Sequence, residues 1–186
     1  MSEPFKNALV GDWVSLGPEV RPSKNPDGTL KSSFLTRDFK FSEDDRFELM
    51  VMSLADPYGR TPLAKIVIRG HMFWRGEHSI ALGAQKVDFH ADEAYAVTPL
   101  HVGFVSLLNQ VARSGYEEWQ VAQMQSIFGK SFAPFGLSEG KNFMEYDLVY
   151  LAGGMLFWGA RHVDGRGFDS EDNRPTNLQI PLIRKQ

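Results

Sequence analysis

Short runs of alternating apolar and polar residues fill most of this chain. DWVSL, SFLTRDFKF, RFELMVMSLA, AKIVIRGHMFW, EHSIALGAQKVDFHA, EAYAVTP, EYDLVYLAG, GMLFWGARHV and LQIPLIR all read as strands. Turn-forming clusters separate them: NPDG at 25–28, SEDD at 42–45, DPYGRTP at 56–62, GG at 153–154 and DGRG at 164–167. Connections this short join antiparallel neighbours, because a parallel crossover needs about a dozen residues or more. The pattern predicts a mostly β fold whose antiparallel sheet is curled or closed. One segment has helical spacing instead. In TPLHVGFVSLLNQVARSG, Thr98 is a candidate N-cap and Pro99 suits the first helical position. Leu100, Phe104, Leu107, Leu108 and Val111 then share a face. This predicts one amphipathic helix at about 99–113. The stretch 114–142 is ambiguous, and its EEWQVAQMQSIF fits either a second short helix or a strand.

The strand faces raise a question of their own. In RFELMVMSLA one side carries Phe47, Leu49 and Val51, and the other Met50, Met52 and Leu54. In GMLFWGA, Met155 and Phe157 oppose Leu156 and Trp158. Strands that are apolar on both sides are not plain solvent-facing staves. One side packs on the helix or a second layer. The other either completes a large aromatic core or lines a cavity suited to an irregular apolar ligand. Candidate lining residues are Trp13, Phe39 and Phe41 in the first strands, then Met50, Met52, Ile68 and Met72, and finally Phe157 and Trp158. FLTRDFKF at 34–41 is sharper still, because Arg37 falls in line with Leu35, Phe39 and Phe41. An arginine there either holds a ligand carboxylate in a bidentate pair or serves structure, clamping a buried carboxylate such as Glu19 or Asp56 or stacking on an aromatic. Arg69 is a second candidate for the ligand role.

Composition narrows the classes. At 186 residues the chain suits a single domain with a sizeable core. A net charge of −3 without a Lys/Arg run gives no case for nucleic acid or anionic membrane binding. The absence of cysteine excludes disulfides and thiolate metal sites, and suits a reducing compartment, with the cytoplasm as the expected location. No apolar run reaches the roughly 18 residues of a membrane span, and MSEPFKNALVGDW has no signal-peptide core. Nucleotide-binding, nucleophile-elbow and zinc-protease motifs are missing. His90 with Asp92 or Glu93 is an incomplete ligand set, so neither metal nor cofactor is expected. DGRGFDSEDN at 164–173 lacks the glycine of a calcium loop and reads as a solvated hairpin loop. Glu117, Glu118, Glu139 and Glu145 form carboxylate pairs only if the fold gathers them. The leading class is therefore non-enzymatic binding of an apolar or amphipathic small ligand. The rivals are a small-barrel isomerase or hydrolase with a carboxylate or His at the cavity mouth, and a protein–protein interaction module. The oligomeric state is left open.

GDW at 11–13 resembles the Gly-x-Trp signature of lipocalins, in which the Trp closes the barrel base against an Arg of a late strand. Arg161 or Arg184 is available for that contact. A longer series resembles the domain of the adenomatosis polyposis coli down-regulated family. It runs GDWVS, EVRP, FLTRDFKF, DP, IRG, VTP, SLLN, WQV and IPL, from Gly11 to about Leu182. WVS at 13–15, EVRP at 19–22, FLTR at 34–37 and SLLN at 106–109 are its most specific pieces. Animal members of that family are cell-surface Wnt inhibitors with two such domains. The resemblance implies a half-open, lipocalin-like antiparallel barrel with a packed helix and a lipid pocket. A single copy without cysteine or export signal looks like a bacterial relative, whose cargo would be a free fatty acid or similar small lipid rather than Wnt. The animal domain carries cysteines where this chain has Pro18 and Gly59, so the resemblance also implies that these two positions lie close together.

Overall fold

The computed structural model describes residues 3–25, 27–141 and 143–185. A short helix, α1 (Glu3–Leu9), leads into β1 (Gly11–Ser15), β2 (Glu19–Lys24), β3 (Leu30–Phe41), β4 (Arg46–Leu54), β5 (Pro62–Glu77) and β6 (Gln85–Pro99). Helix α2 (Val102–Val111) and the two-residue β7 (Gln125–Ser126) follow, then β8 (Met144–Ala152), β9 (Met155–Trp158) and β10 (Leu182–Arg184). The short turns marked in the sequence join β3 to β4, β4 to β5 and β8 to β9, and these pairs are antiparallel as expected. All ten strands belong to one antiparallel sheet.

That sheet closes in a ring. From β6 the hydrogen bonds pass to β8, β9, β10 and β1, and β1 returns to β3. Strand β3 is long enough to serve two partners along one edge. Its residues 30–35 pair with β2, and its residues 38–41 pair with β1. Closure satisfies backbone groups that an open edge would leave unpaired. The ring is incomplete beside the middle of β6. There the Ala91 N–H donates to the Phe143 carbonyl and the Ile127 N–H to the Tyr95 carbonyl, so loop residues replace a strand.

The base of the ring explains the Gly-x-Trp motif. Trp13 pairs across the sheet with both Phe39 and Arg184, and its indole N–H donates to the Leu9 carbonyl at 2.7 Å. The Arg184 guanidinium lies 4.5 Å from the centre of a Trp13 ring and donates to the carbonyls of Ala8 and Val10. Gly11 has a φ of +123°, and a Cβ there would sit 2.6 Å from Arg184 Nη1. The glycine therefore gives Arg184 its path to the helix end. Of the two arginines available from the sequence, Arg184 makes this contact. Above it, Phe39 stacks on Trp158 at 4.5 Å and on Phe41 at 5.1 Å, and Phe89 meets Trp158 at 4.7 Å. This aromatic column packs the lower half of the ring solid.

Several elements differ from the sequence expectations. Helix α2 begins later than the expected 99–113, because Thr98 and Pro99 pair with Lys65 and Ala64 as the end of β6. The cap is His101, whose ring nitrogen accepts the Gly103 N–H. Of the expected apolar stripe only Leu108 is fully buried, and Leu107 and Val111 are exposed. The ambiguous 114–142 contributes only β7 and one 3₁₀ turn at 133–135, but its Trp119, Ile127 and Phe132 are buried. In the loop at 164–173 Asp164, Arg166, Asp169, Glu171 and Asp172 are exposed as expected, but Phe168 is buried and its carbonyl accepts the Tyr146 N–H. Arg174 then reaches back from the same connection to the Val87 and Asp147 carbonyls and to the Asp88 carboxylate. A Cβ on Gly59 would lie 3.8 Å from Pro18 Cγ, so the two positions implied by the resemblance do meet.

Because Arg184 is exposed, Arg184→Met is expected to cost only about 1 kcal/mol in urea denaturation. Gly11→Ala should cost at least as much, through the positive φ and the displaced guanidinium. The double variant should cost clearly less than the sum, and strict additivity would show that the two positions are independent.

Candidate functional site

Above the aromatic column the ring is not filled. Between β2, β3, β4, β5, β6 and β8 lies a cleft of about 370 Å³, partly roofed by Pro134 and Phe135 of the loop after β7. Its two walls differ. The strands β4, β5 and β6 present Leu49, Val51, Ile66, Ile68 and Tyr95, and Phe135 and Phe143 continue this apolar surface. The opposite wall carries Arg21, Ser23, Arg37, Glu145 and Arg161. Below the cleft a chamber of about 20 Å³ lies among Arg37, Asp147, Phe89 and Trp158. That is room for about one water molecule. The Trp158 indole N–H is buried with no acceptor among the described residues.

Arg37 is only 4% exposed, and its Nη2 donates to Glu19 Oε1 at 2.7 Å, with Glu19 itself 2% exposed. Its own backbone N–H donates to Ser15 Oγ at 2.8 Å. Ser15 ends β1 and Glu19 begins β2. Arg37 therefore stands where β3 changes partner, and it ties both partners to the point of exchange. Of the two roles open from the sequence, the structure shows the clamp on a buried carboxylate, with Glu19 rather than Asp56 as the partner. Asp56 instead accepts backbone N–H groups within its own turn. Arg69 is exposed on the outside of β5, near Glu48.

The other expected lining residues divide by strand geometry. Phe39, Ile68 and Trp158 border the cleft or the chamber beneath it. Trp13 belongs to the packed base. Phe41 and Met72 face a separate small cavity against α1, lined also by Leu9 and Trp74. Met50, Met52 and Phe157 lie away from the cleft. Leu49 and Val51 point inward, so their neighbours Met50 and Met52 point out, because successive side chains alternate across a strand. Phe157 sits on the outer side of β9 against Tyr150, at 5.9 Å. Glu145, Asp147, Arg21 and Arg161 are site residues that the strand pattern did not single out as lining the cavity. The only signal was Glu145 and Asp147 two residues apart, which puts both carboxylates on one face of β8. Among the other candidates, Asp92 pairs with His71, Glu93 with Arg46, and His90 Nε2 is buried with no partner among the described residues.

The electrostatics follow from burial. Asp147 is 1% exposed, and its Oδ1 accepts the N–H groups of Leu148 and Gly159. Burial, and then the negative charge of Glu145, push its carboxyl up to about 7, against the pull of Arg37 and Arg21. Arg21 lies 3.4 Å from Glu145 and 3.7 Å from Glu19. Arg161 is half-buried and held below the usual guanidinium range by burial and by neighbouring Arg21.

Arg37→Met should leave Glu19 buried without its closest partner and lower stability by about 3 kcal/mol in chemical denaturation. The double change Arg37→Met with Glu19→Leu should recover most of that loss. Asp147 gives a separate expectation. Its folded value lies above the ordinary value near 4, so the folded chain holds this proton more tightly. The stabilisation is complete below about pH 4 and is lost as pH rises through about 7. Between about pH 5 and pH 8 the native chain should lose a few kcal/mol more than Asp147→Asn, read from urea midpoints.

With this geometry in view, comparison with known families gives one match. The family model described as adenomatosis polyposis coli down-regulated 1 matches residues 3–129. That stretch holds α1, α2, β1 to β7, and the Ser15–Glu19–Arg37 cluster. It stops before β8, so Glu145, Asp147, Trp158, Arg161 and the IPL at 180–182 lie beyond it. It covers more than half of the chain, and the chain belongs to the adenomatosis polyposis coli down-regulated 1 family.

Proposed function

We propose that the protein binds a single-chain apolar or amphipathic ligand, such as a fatty acid, in the cleft above the aromatic column, without converting it. One observation carries this reading. Inward apolar side chains of β4, β5 and β6 face a space that no described side chain fills, and a charged wall lies opposite. The volume lies at the lower end of the range for small-molecule sites, about 300–1,000 Å³. That suits one chain rather than a two-chain lipid. The resemblance to the family supports an apolar pocket. The cysteine-free composition supports a reducing cytoplasm, and we take the chain as a bacterial relative whose cargo is a free lipid rather than a Wnt protein.

Asp147 favours a second reading, an isomerase or hydrolase that uses this carboxyl as its acid or base, since raised carboxylates cluster at catalytic sites. Geometry weighs against it. Oδ1 is engaged by two backbone N–H groups, and the adjoining chamber admits a water but not a substrate. Chemical change in a bound lipid, lost in Asp147→Asn, would favour the enzyme.

Titration with the saturated acids from octanoate to octadecanoate is expected to give a saturable change in tryptophan fluorescence, since Trp158 lies beneath the cleft. Each buried methylene contributes about 0.8 kcal/mol before ordering costs, so micromolar affinity is expected for the longer chains. The cleft-filling pair Val51→Phe and Ile66→Phe should weaken binding at least about tenfold. No saturable response at any chain length would remove the reading.

A further inference from the structure

The polar wall of the cleft is not electrically complete. Arg37 is committed to Glu19 at 2.7 Å, and Arg21 is shared between Glu145 at 3.4 Å and Glu19 at 3.7 Å. Arg161 has no such partner. Among the described residues its one hydrogen bond runs from Nε to the Arg166 carbonyl at 3.1 Å, and no carboxylate lies within ion-pair distance. Neither of its terminal nitrogens has an acceptor among the described residues. It is nevertheless half-buried, lines the cleft and lies close enough to Arg21 to feel its charge. A cation held beside another cation and away from solvent is unfavourable unless an anion sits between them. Glu145 and Asp169 pull on Arg161 through space, yet neither lies within ion-pair distance of it.

We infer that the cleft selects ligands ending in a carboxylate, with Arg161 as the head-group anchor and Arg21 as its neighbour, while the chain lies along Leu49, Val51, Ile66 and Ile68. This rests on the ligand-binding reading above and adds the chemistry of one end. A guanidinium with two unused terminal nitrogens matches the two oxygens of a carboxylate. Arg37, the arginine that the strand pattern singled out, is not the anchor, since Glu19 already occupies it. Arg161 lies just past the end of β9, within the run GMLFWGARHV, where continued alternation would put it on the outer side with Phe157.

Dodecanoate and dodecan-1-ol have equal chain length, so their difference reads the head group alone. At about pH 7.5, where the acid is ionised, fluorescence titration of the native chain should show dodecanoate binding about tenfold or more tighter than the alcohol. Arg161→Gln should bring the acid down to the affinity of the alcohol and leave the alcohol within about twofold. Arg161→Lys should retain part of the preference, and it serves with the native chain if the glutamine variant does not fold. Equal affinity of native protein for the two probes would overturn the carboxylate anchor but leave apolar binding standing. So would an Arg161→Gln variant that weakens both probes alike. Saturation by neither probe would remove both.

Discussion

The architecture depends on one buried ion pair at the point where a strand changes partners. Strand β3 pairs with β2 along its first half and with β1 along its second, and Arg37 lies between. The chain between Ser15 and Glu19 must leave one edge and rejoin it. The Arg37 backbone holds Ser15, and its guanidinium holds Glu19. Ion pairs this deep seldom add net stability over a well-packed apolar substitute, but breaking one leaves a buried charge and costs several times a surface pair, about 3–5 kcal/mol. The pair thus specifies where β1 ends and β2 begins. Ring closure depends on that register, because β1 is the strand that joins β10 to β3. The motifs WVS, EVRP and FLTR, which carry much of the family resemblance, contribute Ser15, Glu19 and Arg37 respectively and are one physical unit.

The same junction divides the interior. Below it, Trp13, Phe39, Phe41 and Trp158 fill the ring, and α1 closes the end with Leu9. Arg184 seals that base from outside by stacking on Trp13 and binding the carbonyls at the helix end. Above it, the inward residues of β4 and β5 are aliphatic and, with Tyr95 of β6, leave a cleft unfilled. Arg37 lies under this cleft, and Glu19 first, then Asp147 and Glu145, keep the buried guanidinium charged despite the desolvation that opposes it. Structure and binding therefore share a floor. Arg21 and Arg161 line the cleft around the structural pair rather than in it, and they are the groups that the proposed ligand would meet.

Much of the sheet was legible as pattern. Alternation located the strands, and NPDG, SEDD, DPYGRTP and GG located turns, because local backbone chemistry is encoded within a few residues. EVRP is the exception, a strand whose proline and charges hide its pairing with β3. The helix was displaced by three residues because Pro99, well suited to a first helical turn, is equally acceptable at the end of a strand that pairs with β5. The burial of Phe168 and the reach of Arg174 leave no local signal, because their partners lie on β6 and β8, far away in sequence. Met50 and Met52 were assigned to the cavity for their chemistry. Since both faces of β4 are apolar, composition alone cannot say which is inside.

The sequence by itself determined the fold class, the antiparallel order of the meanders and the unusual inward register of Arg37, while the role of Gly-x-Trp at the base came from its resemblance to the lipocalin signature. These are local periodicities and short motifs, each carried by a single strand or turn. Only the tertiary structure decided which carboxylate Arg37 meets, which of Arg161 and Arg184 covers Trp13, and where the unfilled space lies. Those outcomes depend on the ring bringing β2, β8 and the segment after β9 around one cleft, with 124 residues between Arg21 and Glu145. A charge acquires its partner only when closure fixes the distance, and no periodicity along the chain records that distance.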